Sequence, residues 1–234
     1  MIEVRRSEDR GLADHGWLQS RHTFSFANYY DPKYMGISAL RVINDDRVAP
    51  GKGFAIHSHQ DMEIISYVKH GIIEHKDSMG NIQKLPMGEF QLMSAGSGVT
   101  HSEYNPSLSD QLVFLQIWIQ PSVYGIKPGY QQKRFGDVQG LQLIASPDAR
   151  NGSLLIHQDA SLYQLRLEDG QSATHSLDSG RIAYVHVVSG DLSINGEQLQ
   201  AGDGATIKAV DVIELTSGNN TEALLFDLPQ AIDR

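Results

Sequence analysis

Hydrophobic residues along this chain come in short runs that are separated by turns rich in glycine, asparagine and aspartate. Short runs of apolar, β-branched or aromatic residues between such turns are typical of β-strands. No segment keeps the 3.6-residue apolar period of an amphipathic helix, so helices should be few and short. The pattern predicts strands at residues 23–26, 38–46, 57–68, 72–75, 90–93, 112–119, 154–159, 162–167 and 181–188, with a strand–turn unit at 189–196.

The strand pattern is interrupted by the proline- and glycine-containing stretch at residues 124–129 and then resumes in the same form. Many short strands with frequent turns favour a β-sandwich or a β-barrel. We therefore expect an all-β protein with two β-barrel, jelly-roll-like domains in tandem. The first domain should span residues 1–132 and the second residues 133–234.

Two short strings carry pairs of metal donors. One residue separates His57 from His59, and one residue separates His101 from Glu103. Side chains two residues apart on a β-strand point to the same face, so each pair can project from one strand into a barrel. Three imidazoles and a carboxylate that converge on one point make a site for a first-row transition metal.

The second half resembles the first as a weak internal repeat. When Gly190 is set against Gly71, Ser176 and Asp178 stand where the first half has its His-x-His pair. No histidine follows His186, so the second half also lacks a counterpart of the third histidine. We therefore expect metal binding in the first domain and none in the second.

The composition is that of a globular protein without cysteine. The chain has 234 residues, 40% of them hydrophobic, and a formal net charge of −9. The lack of cysteine excludes disulfides, thiolate ligands and cysteine nucleophiles. Lysine and arginine form no basic stripe, which argues against direct nucleic-acid binding. No apolar run reaches the roughly 20 residues of a membrane span, and the charged first residues do not suit a signal peptide, so we expect no membrane contact and a cytoplasmic location.

Longer strings around the donors carry a family resemblance. The spacing Gly51-x5-His57-x-His59-x3-Glu63-x7-Gly71 is close to the first cupin motif, and Gly98-x2-His101-x3-Asn105 matches the end of the second. Within the cupins the chain resembles the pirin family, and most of all the bacterial pirin-like quercetin 2,3-dioxygenases. Further matching stretches are His22-Thr-Phe-Ser-Phe26, Ser38-Ala-Leu-Arg-Val-Ile-Asn44 and Met93-Ser-Ala-Gly-Ser-Gly-Val-Thr-His-Ser-Glu103. The resemblance implies a bicupin whose second barrel is degenerate.

The resemblance also implies which carboxylate completes the centre. Ordinary cupins use the glutamate of the first motif, here Glu63, whereas pirins use the glutamate two residues after the third histidine, here Glu103. Because the pirin-like string is the stronger match, the expected ligands are His57, His59, His101 and Glu103. Glu103 is also expected to act as a catalytic general base. Glu63 then either orients a ligand histidine or caps its strand.

The reaction follows from the resemblance and not from the spacing of the donors. It implies a metal-dependent dioxygenase that cleaves quercetin-like flavonols at the 2,3-bond with O2 and releases carbon monoxide. The expected cofactor is one divalent transition metal, Fe(II) first, with Ni(II), Co(II), Mn(II) or Zn(II) as alternatives. The expected partners are a small aromatic, flavonol-like substrate and O2.

Two other functions stay open on the sequence. The main alternative is a metal-binding regulatory or interaction protein that has a protein partner and no significant turnover. A cupin isomerase or another sugar-modifying enzyme would use similar ligands. It ranks last because it does not explain the pirin-like strings.

The remaining candidate residues have weaker signals. Seven further histidines lack the paired spacing, and we expect them to be structural or surface residues: His15, His22, His70, His75, His157, His175 and His186. Several aromatic residues either line a pocket for a flat ligand or belong to the barrel core. They are Phe24, Phe26, Tyr29, Tyr30 and Trp118.

Overall fold

The computed structural model describes residues 1–230, and the last four residues of the expected second domain, 231–234, lie outside the described part. The first part of the chain forms the strands β1 (Ile2–Arg5), β2 (Gly11–Asp14), β3 (Leu18–His22), β4 (Leu40–Val48), β5 (Gly53–His59), β6 (Glu63–His70), β7 (Ile72–Asp77), β8 (Ile82–Pro86), β9 (Glu89–Ser94), β10 (Val99–Tyr104), β11 (Leu112–Ile119) and β12 (Gly129–Arg134).

The rest of the described chain forms the strands β13 (Gly140–Ser146), β14 (Leu154–Leu155), β15 (Ser161–Leu167), β16 (Ser172–Ser176), β17 (Arg181–Ile194), β18 (Glu197–Gln200), β19 (Gly204–Lys208) and β20 (Val212–Pro229). Helical structure within residues 1–230 is limited to two short 3₁₀ turns, at Ser7–Asp9 and Arg150–Gly152.

The strands form three sheets. Seven strands make one sheet in the order β12-β9-β6-β11-β4-β3-β2, and four make a second in the order β5-β10-β7-β8. Together these two sheets build the first barrel. A sheet of nine strands, whose main path is β1-β19-β17-β20-β15-β13-β14, builds the second barrel. The expected all-β bicupin with few short helical turns is therefore confirmed.

Two long strands shape the second barrel. β17 has 14 residues and β20 has 18, and they pair along most of their length. Their register shifts between Val187 and Ser189 and again between Asp191 and Leu192. Such irregularities bend and twist a strand pair, so the same two strands can serve more than one side of the barrel.

The two barrels pack against each other through a shared apolar layer. Ile65 on β6 and Ile117 on β11 are fully buried in one cluster with Leu162 and Phe226 of the second barrel. Because successive side chains point to opposite faces of a strand, the residues that alternate with Ile65 on β6 and with Ile117 on β11 line the interior of the first barrel. One sheet therefore carries both the contact between the barrels and a wall of the first barrel's interior.

The single strand expected at residues 57–68 is wrong, because the chain changes sheet between β5 and β6. Asp61 adopts a left-handed backbone conformation (φ 48°), which aspartate tolerates better than most residues. Its N–H donates to Gly96 O at 2.9 Å. The N–H of Gly125 donates to Asp61 Oδ1 at 2.7 Å. These contacts fix a turn that a count of strand-forming residues does not reveal.

Of two other expected strands, one does not form and one is shorter than predicted. β3 ends before residues 23–26, where Phe26 and Tyr29 close a turn through two backbone hydrogen bonds of 3.0 and 2.9 Å. Ala27 within that turn has a φ of 50°. The run at residues 154–159 is a strand only at Leu154–Leu155. In both places tertiary contacts override the local preference for an extended chain.

The predicted division of the chain at residues 132 and 133 stays a prediction, and the strand pairing departs from it at two points. β12 runs across the division and pairs with β9, with Gly129 opposite Ser94. β1 pairs with β19, with Ile2 opposite Ile207. Residues 2–5 therefore belong to the sheet of the second barrel and not to the first domain in which the sequence placed them.

Candidate metal centre

Three of the four predicted donors converge inside the first barrel. β5 and β10 pair antiparallel with His57 opposite His101, and the period of two places His59 on the same face. The ring centroids lie 4.4 Å apart for His57 and His101, and 4.8 Å apart for His57 and His59. One nitrogen from each of the three rings lies within 4.8 Å of the others. The three histidines that the paired spacing singled out therefore lie together, and their assignment as metal ligands stays a prediction.

A glycine turn delivers β10 to this position. Gly96 has a φ of 48°, and a Cβ built on it would lie 2.1 Å from the carbonyl oxygen of Ile126. Any other residue would have to push that backbone away, so the turn needs glycine here.

The hydrogen bonds of the histidines leave nitrogens free for a metal. Ala55 O lies 2.8 Å from His57 Nδ1, so Nδ1–H donates to it and Nε2 carries the lone pair. His101 is 2% exposed, and neither of its ring nitrogens has a hydrogen-bond partner. Buried polar atoms without a partner are rare in proteins. A bound metal ion would explain them, so these residues fit a metal.

Burial keeps His59 and His101 neutral. It lowers the pKa of His59 to about 4, with a further decrease from the neighbouring His57. Burial lowers the pKa of His101 to about 3, again helped by the neighbouring histidines. A metal binds the neutral form of imidazole, so protons compete little for this site near neutral pH.

Glu103 lies beside His101 but in a second, overlapping group of donors. One donor atom each of His75, His101 and Glu103 lies within 4.8 Å of the others. Glu103 is 2% exposed, and burial raises the pKa of its carboxyl group to about 7. Ser66 Oγ donates to Glu103 Oε1 at 3.2 Å. The structure thus joins the four predicted donors through His101, and the assignment of all four as ligands stays a prediction.

His75 is a neighbour that the sequence analysis took for an ordinary structural or surface histidine. It is fully buried. Gln91 Nε2 lies 3.2 Å from His75 Nδ1, and His75 Nε2 lies 2.9 Å from Asp77 Oδ2. With Gln91 as donor, His75 Nε2–H donates to the aspartate. Because both ring nitrogens are engaged, Glu103 is the better candidate for the fourth donor.

A cavity of about 450 Å³ opens directly on His57 and His59. Part of its wall is apolar and aromatic, formed by Leu12, Leu18, Phe26, Tyr29, Phe54 and Trp118. The ring of Trp118 meets that of His59 edge to face, with centroids 5.0 Å apart. Mostly apolar cavities with a few convergent polar groups are typical of small-molecule sites.

The five aromatic residues proposed for a pocket divide between pocket, core and surface. Phe26, Tyr29 and Trp118 line the cavity. Phe24 is 2% exposed in the core shared by the barrels, and Tyr30 is 72% exposed. The turn at Phe26 and Tyr29, which ends the strand pattern early, is therefore what brings two aromatic rings to the cavity.

A row of buried polar side chains crosses the inner face of the seven-stranded sheet. The residues stand opposite one another in the strand register, and we call them the polar row: His22, Asn44, Gln116, Ser66 and Gln91. Three of them, His22, Asn44 and Gln116, line the cavity. Ser66 and Gln91 instead contact Glu103 and His75. The polar row therefore connects the cavity wall to the groups around His101.

Asp46 adds a carboxyl group to the cavity wall. It stands two residues after Asn44 on β4, so it shares the inner face. It is 2% exposed, and its Oδ1 has no hydrogen-bond partner. Burial raises its pKa to about 7. No motif in the sequence singled out Asp46, although it and Asn44 are polar residues two apart in a strand that ends in an acidic turn.

Glu63 lies on the other face of the sheet. Ser94 Oγ donates to its Oε2 at 2.9 Å, and the backbone N–H of His157 donates to the same oxygen at 3.3 Å. Glu63 shares its face with Ile65, which packs against the second barrel. The interpretation as a residue that orients a ligand histidine is therefore not supported, and its contacts tie the two barrels together.

These features define a class of protein: a two-barrel cupin in which one barrel carries a histidine-rich metal centre. A family profile described as pirin matches residues 3–119. A second profile, described as the quercetinase C-terminal cupin domain, matches residues 143–228. The chain belongs to the pirin family.

Two bacterial relatives support this family assignment. A protein from Escherichia coli named quercetin 2,3-dioxygenase is 52% identical over 229 residues, which cover 98% of this chain and 99% of that protein. A pirin-like protein from Caulobacter vibrioides is 42% identical over 231 residues, which cover 97% of this chain and 99% of that protein.

A solved structure also resembles this chain. The crystal structure of the bacterial pirin YhhW from Escherichia coli in complex with nickel(II) has a TM-score of 0.96 and 52% identity, and it covers 98% of this chain and 99% of that chain. Together with the donor cluster, it indicates a metal centre in this chain. Within residues 1–230, no helix has the length and hydropathy needed to cross a membrane.

Proposed function

We propose that the protein is a metal-dependent dioxygenase that cleaves flavonols of the quercetin type at the 2,3-bond with O2 and releases carbon monoxide. The observation that carries this proposal is the cavity of about 450 Å³ that opens on His57 and His59 and has Phe26, Tyr29 and Trp118 in its wall. Its aromatic lining suits a flat aromatic ligand. The name of the relative from Escherichia coli supports the same reaction.

In this proposal His57, His59, His101 and Glu103 hold one divalent metal ion. We propose Fe(II) first, with Ni(II), Co(II), Mn(II) and Zn(II) as the other ions to test. A metal ion in such a site supplies Lewis acidity that lowers the pKa of a hydroxyl group beside a carbonyl group, which makes the flavonol electron-rich.

The cavity orients the substrate and keeps water from it. Trp118 and Phe26 pack edge to face, with centroids 5.4 Å apart, and so present a rigid aromatic surface. On another part of the wall, Asn44 and Gln116 offer amide groups for the substrate's hydroxyl and keto oxygens. The substrate would therefore bind between an apolar and a polar surface.

Glu103 is proposed to accept the proton of the substrate hydroxyl at a carboxylate oxygen. Burial raises its pKa to about 7, close to the value that suits a general base near neutral pH. The hydrogen bond from Ser66 Oγ to Oε1 holds the carboxylate in place. Because Ser66 belongs to the polar row, the base and the cavity wall are positioned by the same sheet.

The test is aerobic turnover of quercetin by protein loaded separately with each of the proposed metals. Loss of the flavonol absorbance and release of carbon monoxide are measured. Glu103→Gln should lower kcat by about 100-fold or more, because general-base catalysis contributes about 10²- to 10⁴-fold. Glu214→Gln, on an exposed position of the second barrel, is the matched control and should leave kcat unchanged.

Lack of turnover in wild-type protein with full metal occupancy would contradict the proposal. The regulatory or interaction protein would then be the better hypothesis, and the next experiment would be capture of a protein partner by the metal-loaded protein. Turnover that persists in Glu103→Gln would retain the enzyme but remove Glu103 as its base.

A further inference from the structure

A second cleft lies between the two barrels, on the side of the sheet that faces away from the metal centre. The cleft is lined by the segment between β1 and β2, by β2, β3, β4 and β6, and by Val188 on β17 and the turn before β19. The cleft has a volume of about 620 Å³ and a polar lining. Its charged lining residues are Arg10, Asp14, Arg21, Asp45, Arg47 and Lys69.

The cleft is positively charged in an acidic protein. Four cationic and two anionic side chains line it, whereas the whole chain has a formal net charge of −9. Asp45 Oδ2 lies 3.4 Å from Lys69 Nζ and 3.9 Å from an Arg10 nitrogen, so one carboxylate serves two cations. Arg21 and Arg47 lie at the exposed part of the cleft, and neither forms an ion pair with another of residues 1–230.

Arg10 is the buried part of this cleft. Its side chain is only 2% exposed, and its Nη1 has no hydrogen-bond partner. Ser7 Oγ accepts a hydrogen bond from Arg10 Nη2 at 3.3 Å. A Cβ built on Gly202 would lie 2.9 Å from the same nitrogen, so the second barrel approaches the guanidinium closely because this residue is glycine.

The charge of Arg10 is incompletely compensated. An arginine is almost never fully buried without a partner that is both charged and hydrogen-bonded. Here the carboxylate of Asp45 is too distant for a hydrogen bond at 3.9 Å. Burial lowers the pKa of Arg10 from its ordinary value. Such a cation favours the binding of an anion, which would compensate its charge.

We propose that this cleft binds a small anion through its phosphate or carboxylate group, with Arg10 at its base and Arg21 and Arg47 at its mouth. Guanidinium groups suit both anions because their planar fork donates two parallel hydrogen bonds. The volume exceeds what a single phosphate needs, so the ligand would be a metabolite that carries such a group. The site would be separate from the metal centre.

The test is isothermal titration calorimetry with inorganic phosphate and, in a second arm, with succinate. Ionic strength is held constant with chloride in both arms, so that non-specific charge effects cancel. We expect saturable binding of at least one probe. The arm that binds identifies the chemistry, since phosphate alone indicates a phosphate ester and succinate alone a carboxylate.

The variant is Arg21→Gln/Arg47→Gln, which removes two exposed cations and leaves the buried arginine in place. It should weaken binding by about 10-fold or more, because hydrogen bonds to charged groups are among the strong ones. The matched control is Lys84→Gln/Arg134→Gln, which removes two exposed cations outside the cleft. The control should bind as wild type does.

Three results would overturn the proposal: no saturable heat with either probe, equal affinity in the cleft variant and wild type, or equal weakening in the control. Arg10→Met is a further variant and should abolish binding if it folds. The experiment uses no flavonol and does not depend on turnover. Its failure would therefore leave the dioxygenase proposal intact, and the reverse also holds.

Discussion

The polar row crosses the sheet of the first barrel, whereas the equivalent row of paired residues in the second barrel is apolar. We call the row in the second barrel the apolar row. Its residues stand opposite one another in the strand register: Tyr163, Leu225, Val185, Ala205 and Val4. In the weak internal repeat, Ser66 of the polar row corresponds to Val185 of the apolar row. The backbone pairing is alike, and the side chains differ.

The comparison shows that this fold does not require the polar row. Buried polar groups lower stability unless they are hydrogen-bonded, whereas an apolar row fills a barrel without this loss of stability. The first barrel nevertheless keeps its row, and the row contacts Glu103 and the cavity. Among residues 1–230, both groups of candidate metal donors lie in the first barrel. The polar row therefore belongs with the chemistry of the centre.

The largest effect should come from His101→Ala, which removes the donor that the two groups of the first barrel share. His101 belongs to both donor groups. Mutating a residue that only orients a metal ligand weakens metal binding by up to about 100-fold, so loss of His101 itself should weaken it by more. The measurement is metal content after equilibration with a limiting chelator. His70→Ala, at an exposed position, is the control. Full metal occupancy in His101→Ala would show that the ligand assignment is wrong.

The next effect should come from Leu225→Gln, which introduces a polar side chain into the apolar row. Leu225 is fully buried, and an amide without partners there should lower the free energy of unfolding by about 3 kcal/mol. Metal content should not change. Chemical denaturation measures the loss of stability. Gln116→Leu, the reverse exchange in the polar row, should cost less than about 1 kcal/mol, and an equal loss in both would contradict the comparison.

A smaller effect is expected from Ser66→Ala. The hydroxyl of Ser66 is fully buried and donates to Glu103, so its removal should cost about 1 kcal/mol of stability. Without this donor the pKa of Glu103 should rise further. Metal affinity should fall by about 10-fold, as for other groups that orient a ligand. Metal titration measures this affinity, and Ser58→Ala on β5 is the control. An unchanged affinity would remove Ser66 from the centre.

The smallest effect is expected on the stability of the folded protein at acidic pH. The pKa of folded His59 is about 4, below the ordinary value of about 6.5. Between these values the unfolded chain binds a proton that the folded protein does not, so stability falls as pH decreases from 6.5 to 4. In chelator-treated protein, this contribution should be about 1 kcal/mol between pH 6.5 and 5.5. His59→Gln should lose it, and identical pH profiles for variant and wild type would contradict it.

The sequence could single out the three clustered histidines because their geometry is local, and their role as metal ligands stays a prediction. A strand places residues two apart on one face, so His57 with His59 and His101 with Glu103 could be paired without knowledge of the fold. The three histidines meet because β5 and β10 are neighbours, whereas Glu103 lies in the second donor group with His75 and His101. The two-barrel architecture followed from the density of turns and from the family resemblance.

The rest of the site depends on register between strands that are far apart in the sequence. The polar row joins five strands, and no local pattern shows that Gln116 stands opposite Ser66. Its signal was a glutamine within the apolar run at residues 112–119. The two roles left open for Glu63 could not be separated for a related reason: the turn at Asp61 separates β5 from β6. The face of Glu63 therefore cannot be counted from His59.

The pairing of β1 with β19 has a consequence for synthesis. Ile2 lies opposite Ile207, so at the usual rate of translation β1 waits roughly 10–40 s for its partner strand. The strands β2 to β12 find their partners within residues 11–134, so the first barrel can form on the ribosome during this time. Although β1 is synthesised first, it would then be among the last strands to join a sheet. Its pairing with β19 would connect the folded first barrel to the second barrel while that barrel is still forming.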